Sequence, residues 1–439
     1  MNILPRNVDI DYSAFESSKG PFSAKYGLPA DVKFCSRCVV SNQRPNSTVE
    51  FKNTAASQKT TIQIGKDNVC DACRFAEQKH GHIKWSDREQ ELREICDRHR
   101  RNDGRYDCVV PGSGGKDSIY AAWLLKNKYG MHPLTVTWAP NIYTEWGWRN
   151  FQNWIHSGFD NYLLTPNGRV HRLLTRLSLE VLLHPFQPFI LGQKNIGPMF
   201  ARKMDIPLVF YGENEAEYGN PLGDNNSALR QAEYYSSLSD KDLHLAGTSV
   251  DDLKNAFGLT ANDLKIYMPP DLDELNKGAV EVHYVGYYEK WHPQTCYYHS
   301  TQYCKFEASP ERTPGTFSKY SSIDDRMDDL HFYTTFVKFG IGRATHDASQ
   351  EVRSQDIERD EALQLVRRFD GEFPDRFIDE LFKYLSIPAD EFPVAHKMFE
   401  QPTMDMAYFE HLVDRFRSPH LWHHQNDEWQ LRNSVWKDG

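Results

Sequence analysis

From Tyr106 onward, short apolar runs alternate with stretches whose apolar residues recur every three or four positions. YDCVVP (106–111) predicts a strand ending in a glycine-rich turn. In KDSIYAAWLLKNKYG (116–130), Ile119, Ala122 and Trp123 join Ala121, Leu124 and Leu125 in a broad apolar helical face, and Gly130 suits the C-cap. HPLTVTWAP (132–140) reads as a second buried strand, TEWGWRNFQNWIHSGF (144–159) as a helix, NYLLTP (161–166) as a third strand and GRVHRLLTRLSLEVLL (168–183) as another helix. IPLVFYGEN (206–214) is a fourth strand, and EVHYVGYY (281–288) returns to strand character. This alternation predicts an α/β fold with a doubly wound parallel sheet, helices covering both faces.

The flanks read differently. Residues 1–30 show no sustained period and are expected to be an N-terminal arm; 31–83 form a cysteine-bearing module. KWSDREQELREICDRHRR (84–101) predicts a helix opened by a Ser86–Glu89 capping box and leading into the nucleotide-type domain of 84–217. Residues 218–280 are polar, with helical pieces such as SVDDLKNAFG and ANDLKIYM, and are expected to be an insertion able to cover an active site. A return strand and loop occupy 281–326. The region 327–439 is expected to be largely helical, with DEALQLVRRFDG and PDRFIDELFKYL its clearest amphipathic pieces.

At 439 residues, two or three domains are expected. Lys and Arg number 51 against 61 Asp and Glu, a net charge of −10, which argues against a surface built to grip nucleic acid. No apolar run approaches the ~20 residues that span a bilayer. The N-terminus lacks a basic-then-apolar signal pattern, so a cytoplasmic protein is expected.

Four of the eight cysteines form two CxxC pairs, Cys35/Cys38 and Cys70/Cys73, separated by 31 residues. Four thiolates suit a closed, structural Zn²⁺ site, although the gap exceeds that of a common zinc ribbon. The intervening TVEFKNTAASQKTTIQIGKDN reads as a hairpin with a polar excursion. His292, Cys296, His299 and Cys304 in WHPQTCYYHSTQYC read as packing rather than as a second metal site.

Residues 112–118 read Gly-Ser-Gly-Gly-Lys-Asp-Ser between a strand and a helix. Gly112, Gly114 and Gly115 permit a sharp turn and close approach to a ligand. The following helix offers free N–H groups and a positive dipole end, a place for phosphate. Lys116 adds charge, and Ser113 and Ser118 add donors. The spacing fits neither GxxxxGK[ST] nor GxGxxG. The string resembles the pyrophosphate-binding loop of the ATP-pyrophosphatase (PP-loop) superfamily, with its adenine nucleotide alpha hydrolase-like fold. That resemblance implies that residues 113–118 hold pyrophosphate, that Asp117 binds Mg²⁺, and that adenine lies by Thr137 and Trp138.

Further strings, in order, resemble the N-acetyl sugar amidotransferase family of bacterial surface-polysaccharide and flagellar-glycan biosynthesis. They are CSRCVVSNQRPNSTVEF, VCDACRFAEQK, YDCVVPGSGGKDSIYAAWLLKNKYGMHPLTVTW, IPLVFYGENEAEYGN, VHYVGYYEKWHPQ, the long FEASPERTPGTFSKYSSIDDRMDDLHFYTTFVKFGIGRATHDASQEVR, and VRRFDGEFPDRF. The resemblance implies ATP-dependent conversion of a sugar acetamido group to an acetamidino group, on nonulosonic acids or acetamido uronic acids. Ammonia would come from partner subunits resembling the glutaminase and cyclase of histidine biosynthesis. The chain has no N-terminal Cys and no Gly-x-Cys-x-Gly elbow of its own, so external ammonia is expected.

Position supplies further candidates. Glu213, Asn214, Glu215 and Glu217 follow the fourth strand, where ligands bind in such sheets, and Glu213 or Glu215 is a candidate to hold Mg²⁺ or orient ammonia. The competing reading is a solvated acidic loop. Arg312, Lys319 and Tyr320 are candidates to bind an acidic sugar, against an ordinary surface loop. Asp324 and Asp325 are candidates for hydroxyls or metal, or for capping a turn; Lys290 and His283 are weaker ones. Two other functions compete: a PP-loop tRNA-modifying enzyme (2-thiolation or lysidine-type), which the acidic balance disfavours, and a zinc-bearing assembly protein, which the intact Lys116-Asp117-Ser118 disfavours.

Overall fold

The computed structural model describes residues 3–220, 226–239 and 242–438. Residues 221–225 and 240–241 of the expected insertion, 1–2 of the arm and 439 of the helical region lie outside the described residues.

Five parallel strands form the central sheet: β1 (Cys108–Pro111), β2 (Pro133–Trp138), β3 (Asn161–Leu164), β4 (Leu208–Tyr211) and β5 (Glu281–Tyr284), in the order β3-β2-β1-β4-β5. Val109, Leu134, Val136, Val209 and Val282 point into one core; Cys108, Val110, Leu208 and Phe210 point into the other. Burial on both faces is why β1, β2 and β4 read as continuous apolar runs rather than as alternations, whereas edge strand β3 leaves Tyr162 and Leu163 exposed. The order reverses between β1 and β4, so the turns leaving these two strands share one crevice at their carboxyl ends.

On the β1 side of the crevice, α3 (Lys116–Trp123) runs on through a π turn, Leu124–Lys128, to Gly130, whose φ of +63° closes the helix as expected. Before the sheet come α1 (Asp71–Gly81) and α2 (Trp85–His99). No Ser86–Glu89 capping box forms: α2 starts at Trp85, Ser86 Oγ turns to Asp87, and Glu89 pairs with Arg93. Helices α4 (Glu145–His156) and α5 (Gly168–Leu182) are capped by the side chains of Thr144 and Asn167.

A seventeen-residue helix, α6 (Gln187–Lys203), lies where two prolines and two glycines hid the helical pattern. Pro188 sits in its first turn, where no N–H is needed. Gly192 and Gly197 let it press on the sheet: a Cβ at Gly192 would fall 2.0 Å from the Trp138 ring, and one at Gly197 2.6 Å from Pro111. The described part of 218–280 is also packed down. Leu243, Leu245, Leu253, Phe257, Leu264 and Tyr267 join the core of α5 and α6.

EVHYVGYY is strand only to Tyr284. A helical turn at Val285–Tyr288 then packs on the exit from β4, where Gly286 N–H donates to Gly212 O at 2.7 Å. Helix α7 (Pro293–Cys304) lies against α3. The remainder is mostly helical: α8 (Met327–Phe339), α9 (Arg343–Ser354), α10 (Arg359–Phe369), α11 (Ile378–Leu385) and α12 (Met406–Asp414), then a hairpin of Trp422–Gln425 with Glu428–Leu431. The N-terminal arm is docked onto this region: Phe15 and Leu28 are buried with Phe339, Leu421 and Trp422. Among the described residues no helix is long and apolar enough to cross a membrane.

Candidate functional site

The turn after β1 is shaped by its glycines. Gly114 has φ +85°, and a Cβ there would lie 2.7 Å from the backbone of Phe151 on α4. A Cβ at Gly112 would strike Ser118 at 2.2 Å. At Gly115 a Cβ would meet only Ser113 Oγ at 3.8 Å, so the turn is open on that side. Ser118 Oγ donates to Gly115 O at 3.0 Å, and Ser113 reaches the half-buried Asp324.

Lys116 is buried, its Nζ 2.6 Å from Asp117 Oδ2. Burial opposes its charge, but the adjoining Asp117 carboxylate, with Glu213 behind it, outweighs that and holds its pKa above the ordinary lysine value. Asp117 Oδ1 is buried without a hydrogen-bond partner. Across the crevice, burial and the negative charge of Asp117 push Glu213 up to about 7, although a Tyr218 hydroxyl bond and Lys116 pull the other way. Gln350 Nε2 on α9 donates to the other oxygen, Oε1, at 2.7 Å. An unpartnered carboxylate oxygen beside a second carboxylate that resists ionisation is a donor set suited to a hard divalent cation carrying phosphates.

The other three candidates after β4 build the loop. Asn214 is fully buried and caps the turn by accepting from Ala216 N–H at 3.1 Å. Glu215 accepts from Ser47 Oγ at 2.6 Å and from Asn220 Nδ2 at 2.8 Å; burial works against its charge, but Arg230 and Lys194 hold its pKa below the usual range. Glu217 forms a 2.6 Å ion pair with Lys79 of α1, both side chains nearly inaccessible. The solvated-acidic-loop reading therefore fails for all four.

Their partners Ser47 and Lys79 come from the cysteine module, which is fused to the site. Its sulfurs converge: all four Sγ atoms lie within 4.8 Å of one another, with Cys35–Cys73 at 3.8 Å and Cys38–Cys70 at 3.7 Å. A Zn–S bond of ~2.3 Å places the sulfurs of a regular tetrahedron ~3.8 Å apart, so the set fits zinc and is far too wide for a disulfide. The expected hairpin is instead an isolated bridge, Pro45–Thr61, around a 3-10 turn at Glu50–Lys52, with a second bridge, Ile64–Cys70, after it. Among the described residues this is the one group of three or more His, Cys, Asp or Glu that converges as metal ligands. His292 instead caps α7, Cys296 and Cys304 are buried in apolar surroundings, and His299 packs on Trp123.

The remaining candidates do not all gather here. Thr137 accepts from Asn161 Nδ2, and the Trp138 indole lies edge-on to Tyr267 in the core, so both side chains are used within the fold. Arg312 forms a two-pronged pair with Glu372 at 2.5 and 2.6 Å, and Lys319 donates to Pro310 O. Tyr320 does reach the site: its ring stacks on Tyr297 and lies 5.9 Å from Lys116 Nζ. Asp325 clamps the exit from β2 by accepting from the N–H groups of Asn141, Ile142 and Met327; burial nonetheless pushes it up to about 7. Lys290 is exposed, and His283 is buried between Tyr288 and Glu281.

A cavity of about 480 Å³ opens on the far side of Tyr218. None of its basic residues was marked by sequence pattern, since they come from four distant segments.

Residues 314–435 match the family described as "LPS biosynthesis protein WbpG-like, C-terminal domain", so the chain carries a C-terminal domain resembling this lipopolysaccharide-biosynthesis protein. That stretch includes Gln350, the partner of Glu213. A second similarity is to "Uncharacterized protein MJ1599" of Methanocaldococcus jannaschii, 43% identical over 47 residues, which is 11% of this chain and spans only 17% of that protein.

Proposed function

We propose that this protein is an ATP-dependent N-acetyl sugar amidotransferase of surface-glycan biosynthesis, working in the cytoplasm on ammonia delivered by a partner glutaminase with a cyclase-like subunit. The observation that carries the reading is the meeting of the glycine turn, Lys116–Asp117 and Glu213 at the β1/β4 crevice, closed by Gln350 from the WbpG-like domain.

An amide carbonyl is a poor electrophile and its oxygen a poor leaving group. Attack of that oxygen on the α-phosphate of ATP, with loss of the amide N–H proton, gives an O-adenylyl imidate and pyrophosphate. Ammonia then adds to the imidate carbon, AMP leaves, and the amidine remains. In this scheme the backbone of Gly112–Ser118 and the Lys116 ammonium hold the leaving pyrophosphate. Asp117 and Glu213 would hold Mg²⁺, which when bound offsets phosphate charge. Thr137 and Trp138 border the adenine through strand backbone. The half-buried Tyr218 and Tyr320 rings beside Lys116 and Glu213 help exclude water, which would otherwise hydrolyse the imidate.

The test is incubation with ATP, Mg²⁺, ammonium and a panel of acetamido sugars, following pyrophosphate and product mass. Replacing C=O by C=NH makes the product lighter by about one mass unit, in step with pyrophosphate, and Asp117→Ala should abolish both. Pyrophosphate release that needs tRNA instead of sugar would overturn the proposal.

A further inference from the structure

The cavity beyond Tyr218 has a lining out of keeping with the chain's acidic balance. Arg44, Lys59, Lys194 and Lys338 line it against two carboxylates, Glu50 and Glu215, beside an Arg343 already paired with Asp347 at 2.9 Å. Arg44 stands over the Tyr218 ring at 5.7 Å, and among the described residues no carboxylate lies within ion-pair distance of it; its Nη1 is shielded and unpartnered. Glu50 Oε2, His184 Nδ1, His331 Nδ1 and Asn46 Oδ1 are further shielded polar atoms without partners around this one space. Buried polar groups are almost always satisfied, so these atoms need partners inside the cavity, from water or from a polar ligand.

The cations also have donors to spare. An ammonium carries three N–H donors. Lys338 gives one to Leu182 O at 2.6 Å, and Lys194 one to Thr48 O at 3.0 Å, its nearest carboxylate being Glu50 at 3.9 Å. Lys59 donates to Thr48 Oγ1 and Asn53 Oδ1. Burial holds all three below the ordinary lysine range, and the neighbouring Lys59 adds to this at Lys338. A bound anion would relieve that repulsion, while the orphan acceptors Glu50 Oε2 and Asn46 Oδ1 suit hydroxyl groups.

We infer that Arg44, Lys194 and Lys59 are the anion-reading residues of this cavity, which seats a hydroxyl-bearing small molecule through its carboxylate or phosphate. That this molecule is the sugar substrate rests on the amidotransferase reading; the anion and the residues that read it rest on the lining alone. The volume of about 480 Å³ lies in the range of small-molecule pockets. Tyr218 joins the two halves: its ring lines the cavity and its hydroxyl holds Glu213 at the crevice.

Calorimetry on the zinc-loaded full chain tests this with three probes: N-acetylneuraminate, N-acetylglucosamine 1-phosphate and neutral N-acetylglucosamine. At least one anionic probe should bind tenfold or more tighter than the neutral sugar, and the preferred one tells carboxylate from phosphate. Arg44→Met and, separately, Lys194→Met should each weaken it by about tenfold or more, the loss expected for a charge-assisted hydrogen bond. Binding of a fluorescent ATP analogue should stay within about twofold in both, which separates this inference from the nucleotide reading. Equal binding of all three probes, anion binding untouched by both variants, or competition between ATP and the sugar for this cavity would overturn it. ATP binding with no binding of any probe would overturn the inference while leaving the nucleotide site standing.

Discussion

The Lys79–Glu217 pair is the bolt between the cysteine module and the turn that carries Glu213. Its atoms are 2.6 Å apart, and the side chains are 4% and 7% exposed. At an effective dielectric constant of 20, two charges at this distance attract by about 6 kcal/mol. Desolvation of each ion costs several kcal/mol, so the pair is worth little more than an apolar pair of the same size. Removing one partner is different, because the other charge stays buried. Lys79→Met or Glu217→Met should each therefore cost about 3–5 kcal/mol, and the double variant should return to within about 1 kcal/mol of the parent. Urea unfolding of the four proteins, followed by tryptophan fluorescence at equal zinc content, measures this cycle. A single-variant loss below about 1 kcal/mol, or losses that simply add in the double variant, would refute the bolt. The double variant should also have lower turnover, because the turn would lose its fixed anchor.

Glu213 sets a pH dependence. Its folded pKa of about 7 exceeds the ordinary 4.5, so the folded state keeps a proton that the unfolded chain releases, and stability from this group is lost as pH rises from about 4.5 to 7. Without Mg²⁺, the thermal midpoint of Glu213→Gln should fall less over that window than the parent's, and Asp117→Asn should reduce the fall too; parallel curves would contradict the assignment. Metal analysis should find one zinc per chain, lost in Cys38→Ser, and chelation should lower the thermal midpoint because Ser47 and Lys79 lose their footing. Gly192→Ala drives a Cβ into the Trp138 ring, so a net destabilisation of about 1–3 kcal/mol is expected by chemical unfolding, despite alanine's better helix propensity.

The sheet was legible because strands buried on both faces and their helices leave unmistakable periods in the sequence. The glycine turn and the four cysteines were legible because each chemistry needs a short, fixed spacing. Helix α6 was not, since Gly192, Gly197 and Pro198 break every local rule and are explained only by how closely the helix meets β1, β2 and β4. The C-terminal hairpin left a readable sign in Asn426-Asp427, two residues with positive φ between alternating strands, which the helical reading of that region passed over. Arg312 looked like a ligand-reading arginine because sequence cannot reveal that Glu372, sixty residues on, already occupies its fork. The basic cavity was hidden for the same reason, its cations being scattered from residue 44 to residue 343.

The docking of the first forty residues onto the last hundred governs how the chain is made. Val39 is buried with Ala348, Ala362 and Val366, and Phe15 with Leu421 and Trp422. At about 5–20 residues per second, the amino-terminal segment waits on the order of fifteen seconds to a minute before these surfaces leave the ribosome. During that wait its apolar faces have no cover. The thiolates, all within the first 73 residues, need no such delay and can close on zinc while synthesis continues. Zinc held by these thiolates would give this module a fixed structure long before its apolar cover is made, so a shortage of zinc would leave the module without either support during that wait.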